Sequence, residues 1–334
     1  MTRRKIAVIG TGGTISSVAA SSLDTLDYPE FGQKLTASEL LARVGEADLV
    51  AEPVPVPVPF RAVGSTAIGP ADWIALRDLV HATAAQDPGI AGFVITHGTA
   101  TLEETAFFLN LTLAIAHPVV LVGAQRPASA LGTDAGANLV AALRVASAPE
   151  AVGLGVLVVL NDEIHAARDV VKTSTYRLQT FRSPDFGALG HVDGDGVHIL
   201  RAPRRQHAPD TVFASAATFD LPRVDIVLSY AGVDGAMVEA AVAAGARGIV
   251  SAGLAPGIAT PLERLALECA FAAGIVVVQC SRAASGRVGR RRYLREAGIV
   301  AGEDFSPQKA RILLMLALTR TSDPAEIAAI FAST

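Results

Sequence analysis

The chain has 334 residues, 51% hydrophobic and 18% charged. That balance fills one large core or two smaller ones and excludes a disordered or fibrous chain. A formal net charge of −4 gives nucleic-acid binding no electrostatic support. The two cysteines, Cys269 and Cys280, fit neither a disulfide framework nor a metal-ligand spacing and read as buried apolar side chains.

The N-terminal stretch MTRRKIAVIGTGGTI runs from charge to a short apolar segment that stops at glycine. This is the pattern of a first α/β strand. The apolar run is too short for a signal peptide and no small-residue cleavage site follows, so a cytoplasmic location is expected. No run is long and apolar enough to span a bilayer, and no membrane partner is expected.

Short β-branched runs predict strands at Ile6–Ile9, Gly92–Ile95, Val119–Val122, Val156–Leu160, Asp225–Ser229, Gly248–Val250 and Ile275–Val278. Ala/Leu-rich stretches between them carry helical spacing at Ala71–Ala84, Leu102–Ala116, Ala135–Ala148, Ala236–Ala244, Pro261–Ala273 and Ser306–Thr319. Strands alternating with helices predict an α/β fold with a mostly parallel sheet covered on both faces. The Pro/Val alternation of Ala51–Phe60 predicts an edge strand or a polyproline-like connector, because proline cannot donate to a ladder. Residues 182–220, rich in Gly and Arg, predict a short hairpin or loop and then a linker. The domain boundaries expected are 1–205 for a larger N-terminal domain, 206–223 for a linker and 224–334 for a smaller C-terminal domain.

Three stretches hold candidate chemistry. Gly10-Thr11-Gly12-Gly13-Thr14-Ile15 directly follows a predicted strand. Glycines there let the backbone approach a ligand at the carboxyl end of a sheet, or simply make a turn. The pattern matches neither a dinucleotide fingerprint nor a P-loop. Thr96-His97-Gly98-Thr99-Ala100-Thr101 follows another strand and precedes a helix whose first turn holds Glu103 and Glu104. Thr101 and Glu104 have capping-box spacing, which leaves Thr99 without a structural role. His97 is either a general base or a satisfied structural histidine. In Arg168-Asp169-Val170-Val171-Lys172-Thr173-Ser174-Thr175 a lysine sits among hydroxyls, where desolvation would let it accept a proton.

Together these stretches resemble the bacterial-type L-asparaginase/glutaminase family across nearly the whole chain. The specific parts are TGGTI and THGT-x-TLEETAFFL, supported by Gly123-Ala124-Gln125-Arg126-Pro127, Asn161-Asp162, Arg168-Asp169, Ser251-Ala252-Gly253 and Ser306–Arg311. The resemblance implies a two-domain α/β fold, no metal or organic cofactor, and a homotetramer or homodimer with sites at subunit interfaces. It makes Thr14 the nucleophile of an acyl-enzyme and Tyr28, on the Ser/Ala-rich lid Ser16–Gly32, its assistant. It pairs Thr99 with Lys172 and gives Ser65 the substrate carboxylate; Gly13, Thr66, Gly98 and Ala100 are the other positions expected to line the substrate.

Departures from the family pattern bear on the substrate. Where the family has an aspartate that binds the substrate's α-ammonium, this chain has Ala100; where a glutamine is common, it has Thr66. The stretches that would supply a neighbouring subunit's amide and acid read Ala255–Ala259 and Arg287–Arg292. A buried ammonium without a counter-charge costs several kcal/mol. The expected substrate is therefore a small amide lacking a free α-ammonium: an N-substituted asparagine, a dicarboxylic acid monoamide, or a cyclic imide or lactam. The alternatives are an asparaginase/glutaminase with an altered or engineered amino-group site, and an inactive ligand-binding homologue. The run Arg290–Arg292 reads either as a solvated loop or as a substrate contact.

Overall fold

The structure, a computed structural model, describes residues 4–45 and 53–334. The chain divides into two compact units, Met1–Ser215 and Ala216–Thr334.

The strands of the first unit are β1 (Lys5–Gly10), β2 (Ser17–Val18), β3 (Gln33–Lys34), β4 (Val54–Val58), β5 (Ile90–Thr96), β6 (Val119–Val122), β7 (Val156–Leu160), β8 (Glu163–Ala166), β9 (Val171–Lys172), β10 (Phe181–Arg182), β11 (Gly190–Asp193) and β12 (Gly196–Ile199). Its helices are α1 (Tyr28–Phe31), α2 (Ala37–Val44), α3 (Pro70–Gln86), α4 (Leu102–Thr112) and α5 (Ala135–Ser147). One eight-stranded sheet runs in the order β12-β11-β8-β7-β6-β5-β1-β4. From β4 to β7 every pairing is parallel; from β7 to β12 the sheet continues antiparallel through hairpins. The hairpin expected within 182–220 is β11–β12.

Successive side chains of the parallel strands β1, β5, β6 and β7 pack on opposite faces, and both faces are buried. Ile6, Val8, Val94, Val120, Val122, Leu157 and Val159 share one core cluster with Leu139, Ala142 and Leu143 of α5. The residues between them, such as Ala7, Ile9, Phe93, Ile95, Leu121 and Val158, are equally buried but face the other way. A sheet buried on both faces places its reactive groups at strand ends, because neither face is open.

The Pro/Val stretch forms the edge strand β4. The Val54 N–H donates to the Arg4 carbonyl, so the N–H positions of Pro55 and Pro57 point away from β1, where no donor is needed. Ala51 and Glu52 of that stretch lie outside the described residues.

In the second unit β13 (Val224–Leu228), β14 (Gly248–Gly253), β15 (Val276–Ser281) and β16 (Val300–Ala301) form a parallel sheet in sequence order. Around it lie α6 (Ala236–Ala243), α7 (Pro261–Ala272), α8 (Arg292–Glu296), α9 (Pro307–Leu318) and α10 (Pro324–Ser333). Thr260, Ser306 and Asp323 cap the helices that begin at Pro261, Pro307 and Pro324, an N-cap followed by proline at the first helical position.

Three expectations need correction. The helix from Leu102 stops at Thr112, because Leu113 is already extended, and does not reach Ala116. Thr101 stands at the N-cap but makes no capping hydrogen bond; its hydroxyl donates to the Ser65 carbonyl instead. Cys280 is buried, its thiol pushed up to about 12 by desolvation, but Cys269 is exposed. Among the described residues no helix is long and apolar enough to cross a membrane.

Candidate active site

The site is assembled from the carboxyl ends of β1 and β5. After Gly10 the chain turns through Gly12 and Gly13, which have φ of 97° and 80°. Only glycine adopts that region without strain. Thr11 stitches this turn to β5, its N–H and its hydroxyl both donating to the Thr96 carbonyl at 3.0 and 2.9 Å. On the other side the Gly13 N–H donates to Val63 and the Val63 N–H to Thr11, each at 2.9 Å, which fixes the approach to Ser65. Thr101 then holds the Ser65 carbonyl at 2.9 Å.

The turn after β5 rests on a buried relay. His97 is fully buried and its Nδ1 lies 2.8 Å from the Gly98 carbonyl, which can only accept, so Nδ1 carries the proton. Nε2 therefore accepts from the Thr105 hydroxyl at 3.0 Å, and that oxygen in turn accepts from the Trp73 indole N–H at 3.0 Å. Burial pushes the imidazole down to about 4, so it is neutral near neutral pH. Of the two roles open to His97, the structure supports the structural one.

Two hydroxyl pairs result. The Thr14 and Tyr28 hydroxyls share a hydrogen bond of 2.9 Å. The Lys172 ammonium donates to the Thr99 hydroxyl at 2.7 Å. Tyr28 opens the short helix α1, and Lys172 stands on β9, paired with Phe181. Burial holds the Lys172 ammonium below its ordinary value, an effect the Glu103 charge opposes. Burial raises the Tyr28 phenol, and the hydrogen bond from Thr14 opposes that shift. The two shifts run in opposite directions, the amine toward neutrality and the phenol away from ionisation.

The two turns touch. A Cβ added to Gly13 would lie 2.1 Å from the Gly98 Cα, and one added to Gly98 would lie 2.7 Å from the Ser65 Oγ. Gly13, Gly98, Thr99 and Ser65 are buried together, while Thr66 and Ala100 stand exposed at the rim. Glu103, whose sequence position suggests only a favourable helix-dipole charge, also accepts from the Lys172 backbone N–H and so anchors β9 beneath Thr99. Nothing in its local sequence signals that long-range contact.

The chain matches the model of the Asparaginase N-terminal domain over residues 5–205 and that of the Glutaminase/Asparaginase C-terminal domain over 223–331. It belongs to the asparaginase family. It is 39% identical to L-asparaginase 2 of Bacillus subtilis over 326 residues, covering 98% of this chain and 85% of that one. To the glutaminase-asparaginase of Pseudomonas fluorescens it is 35% identical, with 98% and 89% covered. Its structure superposes on the crystal structure of a probable cytoplasmic L-asparaginase from Campylobacter jejuni with a TM-score of 0.93 at 36% identity, covering 99% and 100%. As an asparaginase-family member the chain is an amidohydrolase that acts on carbon–nitrogen bonds other than peptide bonds.

The other family motifs brace the same unit. The Asp134 carboxylate accepts the N–H groups of Gln125 and Arg126, each at 2.9 Å. Asn138 donates to the Gly123 carbonyl and accepts from the Asn161 N–H, each at 3.0 Å. In the second unit each arginine of the Arg290–Arg292 run has a partner: Glu303 for Arg290 at 3.0 Å, the Gly257 carbonyl for Arg291, and Glu296 for Arg292 at 2.6 Å.

Proposed function

We propose that Thr14 is the nucleophile and that Lys172, through Thr99, is the base that prepares the site for a small amide. What supports this reading is the meeting of the Thr14–Tyr28 and Thr99–Lys172 pairs on two turns that touch at Gly13 and Gly98. A threonine hydroxyl is a weak nucleophile until its proton is accepted. Thr14 Oγ1 attacks the amide carbon and gives its proton to the Tyr28 relay. The C–N bond breaks, ammonia leaves with that proton, and an ester on Thr14 remains. Water then adds to the ester carbon and passes its proton through Thr99 to the neutral Lys172 amine; the C–O bond to Thr14 breaks, that proton returns to Thr14 Oγ1, and the carboxylic acid is released. Backbone donors of the glycine turns stabilise the oxyanion, each worth about 3–4 kcal/mol.

For the substrate we infer an amide without a free α-ammonium. Ala100 and Thr66 offer no charge at the rim, and the arginines in the stretch that would hold the partner's acid are occupied by Glu303, Gly257 and Glu296. A homotetramer or homodimer in the cytoplasm completes the reading. Support comes from Leu228, Met237, Leu262 and Leu265, which stand 57–61% exposed on β13, α6 and α7.

The test is a panel of L-asparagine, L-glutamine, succinamic acid, N-acetylasparagine and succinimide, with ammonia release or, for the imide, ring opening as readout. The expected result is turnover of at least one member lacking the α-ammonium, faster than L-asparagine and abolished in Thr14→Ala. Faster turnover of L-asparagine would reject the substrate assignment. Binding of every member with no turnover would reject catalysis.

A further inference from the structure

Resting on that reading, we infer that Lys34 is a positioning residue, which closes the Ser17–Lys34 lid and sets the Tyr28 ring against Thr14. The lid is anchored by very little backbone. β2 and β3 pair through only Ser17↔Lys34 and Val18↔Gln33, with a further bond from the Leu35 N–H to the Ser16 carbonyl at 2.8 Å. A two-stranded ribbon of that length is marginal in water and needs side-chain support.

Lys34 supplies that support at one residue pair. It lies directly opposite Ser17 in the register, so both side chains occupy the same face. Its ammonium donates to the Ser17 hydroxyl at 2.9 Å, and that hydroxyl donates to the Gly13 carbonyl at 2.8 Å. The far end of the lid is thereby tied to the turn that bears Thr14. The same ammonium stands 5.8 Å from the centroid of the Tyr28 ring, where the electron-rich face attracts a cation. The result is a closed circuit from Gly13 to Ser17, Lys34, Tyr28, Thr14 and back. Ser17 is fully buried, so this link is shielded from competing water.

The ammonium carries a second requirement. Burial lowers its basicity while Glu30 opposes the change, so desolvation is tolerated for the sake of the contact. Lys34→Met keeps the length and the apolar stem but loses the donor and the cation. Lys34→Arg keeps both.

The experiment follows two readouts in wild type, Lys34→Met, Lys34→Arg and the Tyr28→Phe background. The first is chymotrypsin cleavage at Leu23 or Leu26, mapped by mass spectrometry, which needs no substrate. The second is kcat and KM on the fastest member of the amide panel. Lys34→Met is expected to raise lid cleavage and lower kcat, each about tenfold, with KM changed less than about twofold. Lys34→Arg is expected to restore both, and Lys34→Met is expected to add no further loss of kcat once Tyr28 is Phe. Wild-type cleavage in Lys34→Met, or an equal loss of kcat with and without the Tyr28 hydroxyl, overturns the role of Lys34. Full activity in Tyr28→Phe alone instead overturns the role given to Tyr28, while the cleavage result still decides the lid contact.

Discussion

Gly13 and Gly98 meet backbone to backbone, with no room for a side chain at either position. A Cβ on Gly13 would approach the Gly98 nitrogen to 2.3 Å, and one on Gly98 would come within 2.8 Å of the Ser65 Cβ and 3.0 Å of the Gly13 Cα. This contact sets how closely the Thr14 and Thr99 turns lie. Gly98→Ala is predicted to destabilise the protein by about 1–3 kcal/mol through overpacking. It should also reduce turnover by about 100-fold or more, because displaced reacting groups lose rate steeply. Thermal unfolding and steady-state kinetics check the two effects. Gly13→Ala, with φ at 80° and backbone in the way, should be worse on both counts.

His97 gives a pH prediction for stability. The unfolded imidazole takes its proton near 6.5, and the folded one only at about 4. Between those values the unfolded state holds more protons, so the contribution of the neutral ring is complete above 6.5 and is lost as the pH falls toward 4. The full loss is about 3 kcal/mol. His97→Gln should be less stable at pH 7, because the Thr105–Gly98 relay is broken, but its melting temperature should fall less between pH 7 and pH 4 than that of the wild type.

Lys172 and Tyr28 give a pH prediction for rate. Burial moves the amine below its ordinary value and the phenol above its own, which favours proton loss from the amine and opposes it from the phenol. The second, water-dependent half of the reaction should speed up with pH to a plateau whose midpoint lies below 10.5. Lys172→Arg keeps the charge, never releases its proton, and should remove that rising limb. A limb that survives in Lys172→Arg and disappears in Tyr28→Phe would transfer the base role to the phenol.

Ala100 is predicted not to be the sole obstacle to L-asparagine. The side chain is exposed, and Thr66 and the occupied arginines would remain unchanged in Ala100→Asp. The variant should raise kcat/KM for L-asparagine by less than about tenfold, the worth of one exposed charge pair. Recovery to the rate of the preferred amide would mean that the site is an asparaginase site with one altered residue.

Much of this was legible in the residues. β6 and β7 begin and end where their apolar runs do, between Pro118 and Gly123 and between Gly155 and Asn161. Thr14, Thr99 and Lys172 stand out by their stretches and Tyr28 through the family resemblance, and the structure joins them in two hydrogen-bonded pairs. The contacts that hold these pairs were not legible. Glu103 to Lys172 spans 69 residues, Trp73 to Thr105 spans 32, and neither has a local pattern. The Thr101 capping box has the right spacing, yet the same hydroxyl can satisfy a tertiary acceptor, and the Ser65 carbonyl takes it. Likewise the run Arg290–Arg292 cannot announce Glu303, which reaches it from another segment with φ at 53°.

The most direct measurement is to trap the intermediate. Wild-type enzyme is quenched in acid during turnover of the preferred amide, digested, and the peptide bearing Thr14 is weighed. The prediction is an increment equal to the acyl group on Thr14, absent in Thr14→Ala and accumulating in Lys172→Met. An acyl group on Thr99, or undiminished turnover in Thr14→Ala, would contradict the assignment of the nucleophile.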